Sequence, residues 1–299
     1  MELLYKGKNI YPDVKLKECV YDSRCDNHLS HLRIVFQDDD HSFDSYGISK
    51  GDEIQLKDGY VDTKKMYINE IKPVNAEYEI VANPVKKEVM QESDTKQWKS
   101  VKFKKVMCDI AQKHNMTVQF FGVSDNKYKK IEQNNEKDIQ FAARMAMLEG
   151  CIIVIFDGKM IVASREYMER QNEEKTFEID DYDVTLKKAS KYRKCEVKGE
   201  KISGKYERKD GVGTLTYKIE ISTKEEGNRF AKNLLTFKNE KAQTGIVVTD
   251  EVMDGYSGGT IVKVSSKDHP CVNGNVCITR VRHDLVNGKS KIWFRCLED

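Results

Sequence analysis

The chain runs to 299 residues, 39% hydrophobic and 33% charged, with a formal net charge of +2. That length suits roughly two domains of ~100–200 residues each, and its 14 Tyr and 11 Phe exclude a globally disordered chain. The near-neutral balance excludes a protein that coats duplex nucleic acid, and no run approaches the ~20 consecutive apolar residues of a membrane helix.

Charge divides the chain into three regions. Residues 1–85 carry 11 Lys+Arg against 16 Asp+Glu, residues 86–165 carry 15 against 10, and residues 166–299 carry 25 against 23. The first region alternates with period two. Leu32, Ile34 and Phe36 share one strand face, and Arg33, Val35 and Gln37 share the other. Ile54/Leu56, Met66/Ile68 and Tyr78/Ile80/Ala82 repeat the pattern between turn residues such as Lys50-Gly51-Asp52 and Asp58-Gly59. Short strands at regular spacing predict a small β-barrel or sandwich over residues 1–85. Lys86 to Lys99 is polar without periodicity and reads as a linker.

The period then changes. Phe103, Val106, Met107, Ile110 and Ala111 fall on one helix face, and Thr117 to Phe121 reads as a short strand. Ile139, Ala142, Ala143, Ala146 and Met147 mark a second helix, with Asn135 as the expected N-cap, Asp138 three residues on, and Gly150 past the end. Asp157-Gly158 between the β-rich runs Cys151–Phe156 and 159–163 predicts a hairpin. These elements make a small α/β module over 86–169, and the charged stretch from Arg165 to Lys175 closes it.

Strands return over 170–299. Leu215, Tyr217, Ile219 and Ile221 alternate with polar residues. Ser222 and Thr223 each precede a Glu by three, the capping-box spacing, and open a helix near 223–241. Its apolar face holds Phe230, Ala231, Leu234 and Leu235. The segments 246–249, 260–264, 276–281 and 291–296 are strand-like. The expected fold is therefore mainly β with an α/β insert: two β-barrels flanking a small α/β module, the second barrel carrying one helix.

Residues 1–13 lack the basic region and apolar run of a secretory signal, so synthesis in the cytoplasm is expected. There the eight cysteines, spread over every region without a CxxC, are reduced thiols packing as small hydrophobes. Cys25, His28, His31 and His41 form the one metal-like cluster, but no second paired-ligand motif accompanies it. They are expected to be polar turn residues, with no metal bound. Cys108 and His114, six apart on one helix, diverge by about 240° and cannot pair as thiolate and imidazole. His283 at a strand end is expected to be structural, held by Asp284 or a turn carbonyl. Tyr256-Ser257-Gly258-Gly259 lacks the Lys-Ser/Thr of a P-loop and reads as a connection. The Lys102/Lys104/Lys105 and Lys127/Lys129/Lys130 clusters read as solvated faces. No catalytic residue and no cofactor site is assigned.

The middle region carries a resemblance. Trp98-Lys99-Ser100-Val101, Ile110-Ala111-Gln112-Lys113-His114, Tyr128, Gln133-Asn134-Asn135-Glu136-Lys137-Asp138, Phe141, Leu148-Glu149-Gly150 and Asp157-Gly158-Lys159 follow one another in an ordered set. That set resembles the phage late control D family, the baseplate hub proteins of contractile tails and R-type bacteriocins. Met160 takes the usual leucine place of the hairpin. In the flanks, Gly51-Asp52-Glu53-Ile54, Ala82-Asn83-Pro84, Arg229-Phe230-Ala231-Lys232 and Val281-Arg282-His283-Asp284-Leu285 are similar to the family's two barrels. The likeness thus spans nearly the whole chain.

The resemblance implies a structural hub, made in the bacterial cytoplasm and assembled into a tail baseplate. It implies a homotrimer whose two tube-like barrels per chain give a ring of six, joining a sixfold tail tube to a threefold central spike. Its partners would be further copies of itself, the spike protein, a tail tube or tube-initiator protein and other baseplate proteins. No enzymatic activity is implied. Phe230, Leu234 and Leu235 are the expected interface residues, unless their helix serves its own barrel. Two other classes stay open on the sequence: a tail-associated thiol-dependent hydrolase, and a small-ligand or glycan-binding β module.

Overall fold

The computed structural model describes residues 1–39, 45–172 and 175–297. The first region forms β1 (Glu2–Tyr5), β2 (Lys8–Asn9), β3 (Lys15–Arg24), β4 (His31–Gln37), β5 (Glu53–Asp58), β6 (Val61–Asp62), β7 (Met66–Val74) and β8 (Glu77–Asn83). The middle region forms α1 (Lys87–Gln91), β9 (Ser93–Lys102), α2 (Phe103–Lys113), β10 (Thr117–Phe121), β11 (Lys127–Lys137), α3 (Asp138–Leu148), β12 (Cys151–Phe156), β13 (Lys159–Ser164) and α4 (Arg165–Glu169). The third forms β14 (Thr176–Glu178), β15 (Asp183–Lys188), β16 (Lys194–Lys198), β17 (Ser203–Glu207), β18 (Thr214–Lys218), α5 (Lys224–Asn239), β19 (Gln243–Thr249), β20 (Ile261–Ser265), β21 (Gly274–Asp284) and β22 (Lys289–Cys296).

Two sets of six strands share one order. In the first, neighbours run β3-β4-β8-β7-β5-β1; in the second, β15-β19-β22-β21-β20-β14. Numbered by chain order within each set, both read 2-3-6-5-4-1. The likeness extends to an irregularity. Strand five slips against strand six between Ile68 and Glu70 in one unit and between Ile278 and Arg280 in the other. Leu3, Leu32, Ile34, Phe36, Ile54, Leu56, Ile68 and Ile80 fill the first core, and Phe177, Val247, Val262, Val276, Ile278, Val281, Ile292 and Phe294 fill the second.

The expected closed barrels are not formed. Among the described residues, the end strands of each unit do not pair with one another; instead β21 pairs with β3 and both units merge into one 14-stranded sheet. β20 takes only the first residues of β21, from Gly274 to Cys277, so the rest of that edge is left for β3. An exposed edge is satisfied by the other unit rather than by closure.

The segment 194–239 also departs from the expectation of one barrel over 170–299. β17-β16-β18 is a separate three-stranded sheet packed on α5. Cys195, Val197, Phe230, Leu234 and Leu235 share a core with Phe103, Met107, Phe141 and Ile153 of the middle region. The reason lies in α5, whose apolar stripe is wide enough to meet the β16–β18 layer and α3 together. Burying side chains of that size is worth about 1.5–3 kcal/mol each.

Other local expectations divide along chemical lines. Asp157 (φ +50°) and Gly158 (φ +70°) form the hairpin turn between β12 and β13, and Gly150 (φ +69°) ends α3. Thr223 caps α5, its hydroxyl accepting from the Glu226 amide at 3.2 Å. Asn135, expected as an N-cap, instead lies in β11 with φ +45° beside its register shift, and α3 starts at Asp138 behind Lys137. The expected linker 86–99 contains α1 and most of β9, which pairs with β11 as a two-stranded ribbon that sets Trp98, Tyr128 and Ile131 into the shared core. The run from Leu215 leaves the strand after Lys218, and Ile221 turns into the shared core.

Candidate functional site

The joint between the two units carries a buried polar site. Asp22, on the β3 face opposite the core, is 0% exposed. Its carboxylate accepts from Arg280 Nε at 2.6 Å and from Arg282 Nη2 at 3.1 Å, with His31 Nε2 at 3.8 Å. Burial alone would raise the Asp22 pKa, but the hydrogen bonds and charge of Arg280, helped by His31 and Arg282, hold it below the usual carboxylate value. Arg280 also lies 4.2 Å from the Trp293 ring centre, which fixes the guanidinium over the sheet. Backbone pairing continues the joint from Arg280↔Arg24 to Asp284↔Val20.

From there a ladder of charge crosses the first unit. Glu18, Arg33, Glu79, Lys72 and Glu70 bridge in sequence over β3, β4, β8 and β7. It ends at Glu70 on the half of β7 that β5 does not reach, since β5 pairs only with Met66 and Tyr67. At the far end of the sheet, β15 pairs with β19 alone among the described residues. Among the described residues, the second half of β7 and the outer side of β15 are thus open edges of the large sheet, while the β3–β21 edge-to-edge joint is filled.

The motif residues of the middle region converge as fasteners. His114 Nε2 lies 2.7 Å from Asp138 Oδ2, and Gln133 Nε2 donates to Asp138 Oδ1 at 2.6 Å. Thus the ends of α2 and β11 are tied to the start of α3. Glu92, His114 and Asp138 lie within 4.8 Å of one another, a grouping the sequence did not single out as a metal site. The Lys113 ammonium is 2.8 Å from Asp138 and 3.3 Å from Glu92, so this is the geometry of an ion-pair cluster. A second fastener centres on Glu149, which accepts from Tyr128, from Asn126 Nδ2 at 2.6 Å and from Arg229 Nη2 at 3.0 Å. It ties α5 to the middle region. Trp98 donates to Asp109 at 3.0 Å and stacks on Phe141 at 5.3 Å.

The remaining sequence candidates are scattered. Phe230, Leu234 and Leu235 are 2%, 2% and 0% exposed within the chain, so their stripe is covered by its own core. Cys25 is buried in a seam with Ile152 and Ala163, while the exposed His28 ring meets the Asp26 carbonyl and His31 faces Asp22. The structure does not bring these three together, and His41 lies outside the described residues. His283 is buried, its ring against Ser290 Oγ at 3.0 Å and the Tyr256 carbonyl at 3.3 Å. The turn carbonyl, not Asp284, is its partner. Burial pushes the Cys19 and Cys151 thiols up to about 12 and those of Cys195 and Cys277 to about 11, the opposite of nucleophile activation. A cavity of about 590 Å³, lined by Tyr21, Tyr60, Val154, Tyr256 and His283, marks where all three regions meet. Among the described residues, no helix is long and apolar enough to cross a membrane.

No family model matches the chain, and no curated protein matches its sequence. Solved structures do match, and they define the fold class: that of phage tail proteins. The 43 kDa tail protein of prophage MuSo2 from Shewanella oneidensis superposes with a TM-score of 0.76 at 10% identity, covering 98% of this chain and 97% of that one. A tail protein from Neisseria meningitidis MC58 gives 0.76 at 12% identity over 100% and 96%. The E. coli c3393 protein, a type VI secretion component described as structurally similar to the T4 tail proteins gp27 and gp5, gives 0.62 at 10% identity over 100% and 78%.

Proposed function

We propose that this chain is the structural baseplate hub of a contractile tail or tail-derived particle, of the late control D or R-type bacteriocin kind. It acts as a homotrimer that joins a sixfold tail tube to a threefold central spike. The observation that carries this reading is the repeated strand order, 2-3-6-5-4-1, in two units fused edge to edge. One chain then supplies two similar positions in a ring, and three chains supply six. Such a part needs shape, edges and rigidity rather than catalysis, and the raised buried thiols and self-satisfied polar clusters fit a non-enzymatic role. Its partners are the spike below, the tube or its initiator above, and neighbouring baseplate proteins.

The test is reconstitution with a trimeric spike protein and a hexameric tube protein from the same gene cluster. A complex with three hub chains per spike trimer is expected. Failure to bind either partner, with the purified protein folded by circular dichroism, would overturn the hub reading.

A further inference from the structure

The joint inside the chain has a counterpart in a pair of open edges. It is made by strand two of the first unit, β3, and the second half of strand five of the second unit, β21. The complementary pair of edges is the second half of strand five of the first unit, Glu70 to Val74 on β7, and strand two of the second unit, β15. Both edges lack a strand partner among the described residues. Both are also solvent-facing, with Glu70, Lys72, Pro73 and Val74 exposed on one and Asp183, Thr185, Lys187 and Lys188 on the other.

We propose that β15 of one copy pairs antiparallel with Glu70–Val74 of β7 in a second copy, repeating the β3–β21 joint. The occupant of each open edge is therefore another copy of this chain. The inference rests on the trimeric hub reading and gives that assembly its contact surface.

The shared slip fixes the register. Matching Ile68/Glu70 to Ile278/Arg280 puts Glu70 in the place of Arg280, Lys72 in that of Arg282 and Val74 in that of Asp284. On the other strand, Leu186 opposite Gly245 corresponds to Tyr21 opposite Leu32, so Lys187 stands for Asp22 and Thr185 for Val20. The pairs Arg282↔Asp22 and Asp284↔Val20 then become Lys72↔Lys187 and Val74↔Thr185.

Charge supports this placement with its sign inverted. The internal joint sets an acid on strand two against bases on strand five. On the open edges Lys187 stands diagonal to an acid, Glu70, as Asp22 stands diagonal to Arg280. Lys72 faces Lys187 but is already held 3.1 Å from both Glu70 and Glu79. The ladder from Glu18 to Glu70 offers three carboxylates for two cations, so its end accepts another cation. Pro73, in the place of His283, has no N–H to donate, which limits indiscriminate strand addition at this edge. The contact is heterologous, unit to unit in one direction, the type that closes into a ring when the rotation allows.

The test is a cysteine pair, Val74→Cys with Thr185→Cys, in the full-length protein under mild oxidation, with each single variant as control. Native mass is measured on the same samples. The double variant should give covalent dimers and trimers on a non-reducing gel, and the single variants should not. Glu70→Lys should weaken association about tenfold or more, and adding Lys187→Glu should restore it. A trimer by mass with no cross-link, and no effect of Glu70→Lys, overturns the proposed pairing and leaves the hub reading intact. A protein that is monomeric alone and with its spike overturns the trimer reading, and the pairing with it.

Discussion

Asp22 and Arg280, 258 residues apart in sequence, meet through Arg280 Nε and Asp22 Oδ1 at 2.6 Å and lock the first sheet unit to the second. Asp22 is 0% exposed and the Arg280 side chain 19% exposed, so removing Asp22 leaves a largely buried guanidinium without its carboxylate. Asp22→Ala should therefore cost about 3–5 kcal/mol. Arg282, whose side chain is 43% exposed, should cost no more than about 1 kcal/mol as Arg282→Ala. Urea unfolding of both variants measures the two values, and equal small losses would show that the joint is not held by this pair.

The pH dependence of stability should carry the mark of His283. Burial lowers its folded pKa, so between that value and about 6.5 the unfolded chain binds a proton that the folded chain does not. Stability is full above about pH 6.5 and falls as the pH drops below it. His31, also lowered by burial, adds to the same slope. Unfolding midpoints at pH 7.5 and 5.5 should therefore differ less in His283→Gln than in the unmodified protein. Equal differences would contradict the assignment.

The helix α5 is a folding element before it is anything else. Phe230→Ala should cost about 3–5 kcal/mol and Leu234→Ala about 2–5 kcal/mol, because both side chains are buried in the core shared with the middle region. The double change Leu234→Ala and Leu235→Ala should lower the thermal midpoint seen by circular dichroism. Any loss of oligomer mass should accompany that change and not precede it. Cys108→Ser, at a half-buried position, should leave both readouts nearly unchanged.

Gly204 should resist even the smallest substitution. A Cβ there would lie 2.0 Å from the Gly227 carbonyl carbon and 2.4 Å from the Asn228 nitrogen, where β17 passes the first turns of α5. Gly204→Ala should destabilise by about 1–3 kcal/mol or more, as overpacking does. A neutral or stabilising result in thermal denaturation would mean that β17 does not approach the helix so closely.

What the sequence revealed depended on how local the signal was. The turn at Asp157-Gly158 and the cap at Thr223 were legible because a positive φ and an orphan amide have chemical signatures within a few residues. β9 was not legible: Trp98 is its one buried hydrophobic, and the core contacts of the β9–β11 ribbon come mostly from Tyr128 and Ile131 on β11, so β9 itself shows no period of two. Asn135 was misread because a positive φ within a bulged strand selects the same residue type as a helix cap. The resemblance picked out His114, Gln133 and Asp138 as letters in a motif, and only the structure shows that they touch. The Asp22–Arg280 joint had no local signal at all, since its partners belong to opposite ends of the chain.

The most direct measurement is electron microscopy of the purified assembly with its rotational symmetry determined. Three chains of 34.6 kDa should form a ring of six similar lobes with threefold symmetry, each chain giving two adjacent lobes. A ring built from six chains, or one chain per lobe in any number, would contradict that arrangement.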